Sequence, residues 1–177
     1  MPPVRPASLK VRALQWLAQR EHSRQELRDK LLRLLQRSLT AEHDNAADTA
    51  DSGDPATEVE AVLVWLEQHG HLSDARFTES RVHARQSRFG NRRIQQELQQ
   101  HGLALDAEAR QALAQSELAR ANEVWRRKYG APAADAAGRV RQMRFLAGRG
   151  FSMEVVHRVV KTGAPVADNP PSADDNT

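Results

Sequence analysis

Residues 89–103 read FGNRRIQQELQQHGL: an aromatic residue, a helix start at Gly90-Asn91, apolar Ile94 and Leu98 four residues apart, and a stop at Gly102. Apolar side chains at that interval share one face of a helix, so the stretch predicts a short amphipathic helix entered through a tight corner. The pattern recurs at two other helix starts. Immediately before Ser23, Gly90 and Ser152 stand His22, Phe89 and Phe151. Four residues after them stand Leu27, Ile94 and Val156, and eight after them Leu31, Leu98 and Val160. This is a hydrophobic staple, in which the residue before the cap packs on the fourth helical residue and fixes the angle of chain entry. His22 is the weak copy. Six residues before each cap come Leu17, Ala84 and Leu146, which would face the junction from the preceding helix. Three such corners predict three copies of one helical unit.

Outward from these corners, caps and apolar spacing predict helices over 8–20, 23–37, 57–69, 73–88, 91–101, 106–129, 135–149 and 152–161. Ser23 with Glu26 and Thr57 with Glu60 have the spacing of capping boxes. Ala, Leu, Gln, Glu and Arg dominate, and no stretch reads as a strand. The expected fold is all-α: elongated tandem repeats of three-helix units, about eight or nine helices and no sheet. The boundaries are a tail over 1–7, repeat 1 over 8–70, repeat 2 over 71–130, a shortened repeat 3 over 131–162, and a disordered tail over 163–177. An acidic insertion at about 38–56 has Leu39 as its only large apolar side chain and is expected to be disordered. The alternative is one compact helical bundle whose caps coincide.

The chain has 177 residues, 40% of them hydrophobic, enough for a real core. It has no cysteine, which excludes disulfides, thiolate nucleophiles and cysteine-ligated metals. No apolar run approaches the roughly 18 residues of a membrane span, and no signal-type segment opens the sequence, so a cytoplasmic protein is expected. The formal charge of +3 hides a segregation. Residues 1–39 hold nine cations against three carboxylates, residues 40–60 seven carboxylates and no cation, and residues 135–163 six cations against two carboxylates. A basic body flanked by acidic segments points to a polyanionic or acidic partner. Arginine supplies 22 of the 26 cations, so compositional bias is the competing explanation.

Arg81, Arg85 and Arg88 repeat at i, i+4 and i+7, then Arg92 and Arg93 open the next helix, with no acidic residue from Ser80 to Gln96. Like charges at that spacing, and cations in a first helical turn, disfavour the helix locally. An external phosphate or carboxylate on the helix N-terminal amides and guanidinium groups would compensate. The competing reading pairs Arg93 with Glu97 and leaves the others solvated. A second acid-free stretch holds Arg139, Arg141, Arg144 and Arg149, and a third cluster is Arg126, Arg127 and Lys128 between Trp125 and Tyr129. Basic residues among aromatics can stack bases. These aromatics, like Trp16, Trp65, Phe77 and Phe145, follow core spacing instead. His69, His71 and His101 lack a metal-binding motif, no phosphate-binding glycine loop is present, and each noticeable serine sits at a cap, so no catalytic site, metal or cofactor is expected.

The segments ALQWLAQREHSRQELRDKLL (13–32), VLVWLEQHGHLSDARFTESRVHAR (62–85), FGNRRIQQELQQHGL (89–103) and RFLAGRGFSMEVVHRVV (144–160) resemble the bacterial RecX family in order and spacing. The resemblance covers about 130 residues and rests on the combination of REHSRxEL, GxLSDxRF, FGxRRIxxEL and RFLxxRGF. Departures are the acidic insertion after Arg37, His71 where an aromatic is usual, and a short third repeat. The resemblance implies a non-enzymatic regulator of RecA: a monomer lying in the groove of the RecA–DNA filament and depressing its ATPase, strand exchange and co-protease activity. Candidate contacts to RecA or to DNA phosphates are Arg24, Arg28, Arg81, Arg85, Arg88, Arg92, Arg93, Arg126, Arg127, Lys128, Arg144 and Arg149. The alternative is a helical DNA-binding protein that acts without RecA. The acidic segment 40–56 could fold over the basic body as a DNA mimic, an idea tested by deleting it.

Overall fold

The computed structural model describes residues 8–43 and 54–162; the two tails and residues 44–53 of the acidic segment, where disorder and the DNA-mimic idea were placed, lie outside the described residues. Eight helices follow in order: α1 (Leu9–Leu17), α2 (Arg24–His43), α3 (Pro55–Gln68), α4 (Asp74–Gln86), α5 (Asn91–Gln99), α6 (Ala107–Tyr129), α7 (Ala136–Gly148) and α8 (Met153–Thr162). Among the described residues there is no strand, and no helix is long and apolar enough to cross a membrane. The chain divides into two compact units, the first running to His83 and including Glu97–Ala104, the second made of Ala84–Gln96 and the chain from Leu105 on.

In the first unit α1, α2 and α3 enclose Ala13, Leu27, Leu31, Val59, Val62, Leu63, Leu66 and Leu72. A fully buried leucine contributes about 1.5–3 kcal/mol, so Leu27, Leu31, Leu63 and Leu66, all wholly inaccessible, outweigh the capping and charge effects described below. Two helix ends differ from the spacing. The Ser23 Oγ accepts the Glu26 amide at 3.1 Å as the capping pattern predicts, but α2 runs on to His43 rather than ending at Arg37. Ser38 returns a hydrogen bond from its Oγ to the Leu34 carbonyl, 3.1 Å, so its hydroxyl does not break the ladder. Helix α3 starts before Thr57: Asp54 accepts from the Ala56 amide, Pro55 fills the first turn, and Thr57 donates its hydroxyl to Asp54 at 3.0 Å. The box expected between Thr57 and Glu60 is therefore replaced by an aspartate cap.

The second unit packs α6 against α7 and α8 around Ala121, Val124, Trp125, Leu146, Phe151, Val156, Val159 and Val160. The third corner thus sits in a bundle of three helices, with the last half of α6 supplying the member that the spacing left out. Trp125 is core: it is 2% exposed and donates its indole N–H to Gln142 at 3.1 Å. Tyr129 meets Phe145 edge to face at 5.3 Å. Phe77 is buried in the first unit, where its ring meets His101 at 5.0 Å. Trp16 and Trp65 pack against that unit's core.

Candidate functional site

Arginines of the first unit are tied to its own carboxylates. Arg24 reaches Glu60 at 2.7 Å and Glu67 at 2.9 Å, and Arg28 reaches the other oxygen of Glu60 at 2.8 Å, so one glutamate of α3 clamps two successive turns of α2. These two guanidinium groups hold the Glu60 carboxyl below the usual range, and the same bonds raise the Arg24 pKa. Each pair is part-exposed, which keeps its contribution near 0.2–1 kcal/mol. Arg76 binds Glu21 at 2.9 Å and also donates to the Gly70 and His71 carbonyls. Arg81 lies over the Phe77 ring, 5.2 Å from its centre, with a nitrogen 3.5 Å from His101.

The first corner is polar inside. His22 is 2% exposed, with Nδ1 2.9 Å from the Arg20 carbonyl and Nε2 2.7 Å from Lys30. The neutral tautomer that donates from Nδ1 and accepts at Nε2 satisfies both contacts. Burial lowers the His22 pKa, with the neighbouring cations adding to it against Glu26 and the Arg20 carbonyl. Burial alone would raise the Glu26 pKa, but the bond from Arg20 and the charges of Arg20 and Lys30 bring it below normal. The first amide of α2, at Arg24, is taken by Asp74 at 2.8 Å.

The second and third corners, both in the second unit, meet backbone to backbone. The Gly90 amide donates to the Arg149 carbonyl at 2.9 Å and the Arg92 amide to the Gly150 carbonyl at 3.0 Å. A Cβ on Gly90 would stand 2.2 Å from the Phe151 nitrogen and 2.3 Å from the Gly150 carbonyl atoms. Gly150 has φ +81°, and a Cβ there would press on Arg93 at 2.6 Å. Glycine is required at both positions, by contact at Gly90 and by contact and conformation together at Gly150. This junction draws the start of α5, with Arg92 and Arg93, against the turn that carries Arg149. Arg85 and Arg88 lie over the Phe89 ring at 5.7 and 5.9 Å, and Arg149 lies over Phe145 at 3.8 Å. Cation–π contacts of this kind hold a guanidinium in place without removing its charge.

Arg88 does not extend the face of α4 as the i, i+7 spacing predicts. The helix ends at Gln86, and Arg88 belongs to the turn. Its terminator is Arg120, a residue to which the spacing gave no role. Arg120 donates to the carbonyls of Gln86 at 3.1 Å, Phe89 at 2.9 Å and Leu113 at 3.0 Å, and to the Asn91 side chain at 2.5 Å. Burial lowers the Arg120 pKa, and the charge of Glu117 opposes that shift. Glu117 is likewise new. It is 5% exposed and accepts from the Asn91 amide at 3.0 Å, the Ser152 amide at 3.3 Å and the Ser152 hydroxyl at 2.8 Å. One carboxylate caps both α5 and α8, so part of the anion requirement expected at the start of α5 is met from within. The signal in the sequence was a Glu and an Arg three residues apart on the apolar side of α6, where Leu113, Ala121 and Val124 are also buried.

Of the other candidates, Arg126, Arg127 and Lys128 occupy the last turn of α6, where cations complement the helix dipole, and Arg127 pairs with Glu123 at 2.6 Å. Arg88, Arg92, Arg93, Arg126, Lys128 and Arg144 are exposed. Among the described residues no group of three or more potential metal ligands is present. His69 stacks on Trp65 at 4.2 Å, with His71 5.7 Å from that ring.

Comparison with known proteins accounts for the motif set. Residues 73–113 match the family model for the RecX second three-helix domain and residues 115–160 that for its third, so the family boundary falls inside α6. The chain is similar to the regulatory protein RecX of Ralstonia nicotianae, 46% identical over 94% of this chain and 95% of the relative. It is 49% identical to that of Leptothrix cholodnii over 87% and 88%, and 47% identical to that of Herminiimonas arsenicoxydans over 87% and 91%. With repeated stapled corners, the glycine junction and identity at this level along nearly the whole length, the chain belongs to the RecX family of regulatory proteins.

Proposed function

We propose that this protein binds along the groove of the RecA–DNA nucleoprotein filament and inhibits its ATPase, strand exchange and co-protease activities. The observation that carries this reading is the second unit's division of labour: Glu117 and Arg120 meet the structural needs of the corner from inside, while Arg88, Arg92, Arg93 and Arg144 are exposed. A cationic surface of that kind fits phosphates or an acidic protein face, and contacts spread over several turns raise effective concentration without a strong single bond. Arg85, Arg149, Arg126, Arg127 and Lys128 complete the proposed contact set in this unit, with Arg81 in the first. Arg24 and Arg28 act within the first unit's ion-pair lattice and reach a partner only by exchanging Glu60 for an external anion. The protein acts as a cytoplasmic monomer and makes or breaks no bond.

The test is RecA ATPase inhibition and filament binding by the parent chain and by a variant carrying Arg88→Glu, Arg92→Glu and Arg144→Glu. The variant should need at least about tenfold more protein for half-inhibition, since each lost charge-assisted contact is worth about 1.5 kcal/mol or more. Unchanged inhibition would sink the contact set. A parent chain that does not inhibit, or that binds naked DNA as tightly as the filament with a steep salt dependence, would replace the proposal with RecA-independent DNA binding.

A further inference from the structure

Between α7 and α8 the second unit carries an open groove of about 470 Å³ whose floor includes Val140, Met143 and Val160 and whose edge carries Arg139, His157 and Lys161, with no carboxylate among its lining residues. Val140 keeps 43% of its surface exposed. An apolar floor inside a cationic edge suits an acidic segment with a few apolar side chains. The chain supplies one at the groove itself. Helix α8 ends at Thr162, next to Lys161 on the edge, and the sequence continues GAPVADNPPSADDNT. Those fifteen residues hold Asp168, Asp174 and Asp175, no cation, and the apolar pair Pro165 and Val166 directly after the exit.

We propose that this groove is the docking site of the chain's own segment 163–177, with Pro165 and Val166 over the floor and the aspartates toward Arg139, His157 and Lys161. Reach is not limiting: fifteen residues span up to about 50 Å when extended. Tethering gives an effective concentration in the millimolar range, so contacts too weak to hold a free peptide suffice here. The docked segment covers an apolar floor and lays three carboxylates beside Arg139, His157 and Lys161, so an external polyanion competes with it. This inference goes beyond the filament reading and does not depend on it.

Methyl NMR spectra of the full chain and of a chain ending at Thr162 provide the test. Docking predicts that the Val140, Met143 and Val160 methyl signals differ between the two chains. A synthetic peptide of sequence 163–177, added at millimolar concentration to the shortened chain, should move those signals toward their full-length positions. The shift should shrink in high salt and vanish with Val140→Asp or with Arg139→Glu and Lys161→Glu combined. Unperturbed signals from the Trp125 and Phe151 core show that each variant is folded. Superimposable groove methyls in the full and shortened chains would overturn the proposal. So would shifts in the shortened chain that grow with its own concentration, which assign the groove to a second copy, or shifts in the full chain unaffected by Val140→Asp.

Discussion

The corner at Ser23 and the pair of corners at Gly90 and Ser152 follow one sequence pattern but solve the charge problem differently. In the first unit the staple residue is His22, the first amide of α2 is capped by Asp74, and Arg20, Arg24, Arg28 and Arg76 are bound to Glu26, Glu60, Glu67 and Glu21. In the second unit phenylalanines fill the staple positions, one buried glutamate caps two helices, and Arg85, Arg88 and Arg149 rest on aromatic rings. Summed charge therefore says little about which cations meet a partner. What decides is whether a carboxylate of the same unit lies within reach.

The difference can be attacked at the carboxylates first. Glu117→Ala removes the buried acceptor shared by three donors and the charge facing half-buried Arg120, and should destabilise the second unit by about 3 kcal/mol. Hydrogen exchange should accelerate at the starts of both α5 and α8. Acceleration at only one of them would show that the cap is not shared. Gly90→Ala comes next: its Cβ meets backbone on the neighbouring corner, where neither side can give way, so a loss of about 3 kcal/mol is expected in chemical denaturation. The matching change in the first unit, Ser23→Gly, removes a cap hydroxyl that also lies 3.5 Å from His101 but forces no clash, and should cost under about 1 kcal/mol. Similar losses for the two would mean that the corners are built alike after all.

The smallest effect is the acid response of the first unit. His22 is neutral in the fold and its pKa lies below the ordinary 6.5, so the unfolded chain binds the proton more readily. The stability this gives is complete above about pH 6.5 and falls as the pH drops below that value toward the folded pKa. His22→Phe, which copies the staple of the other corners, should flatten unfolding stability just below about pH 6.5 while leaving the contribution of Glu26, lost at lower pH, in place. An unchanged slope in that window would remove His22 as its source.

Eight helices were legible because their caps and apolar intervals are local: Ser8, Asp106 and Asp135 cap where the spacing places them. Misreadings are local too. Asp54 overrode Thr57 because a carboxylate followed by proline makes the stronger start, and α2 outran Arg37 because nothing before His43 forces it to stop. The candidate site was read only in part. Arg88, Arg92 and Arg144 were found as exposed cations, whereas Arg24 and Arg28 looked the same in the sequence and are held by Glu60, thirty-two residues and more away. Glu117 and Arg120 are set apart only by their place on the apolar side of α6, because a Glu and an Arg three apart have the spacing of an ordinary surface pair.

The amino-acid order by itself determined an all-α chain with recurring corners, since helix starts, staples and stops depend on residues within about eight positions of one another. Only the tertiary structure decided that Gly90 and Gly150 touch, that Glu117 serves two helices, and which guanidinium groups are spent on the protein's own carboxylates. Those outcomes depend on distances of a few ångströms between residues some thirty to sixty apart in the chain, and no local spacing encodes them.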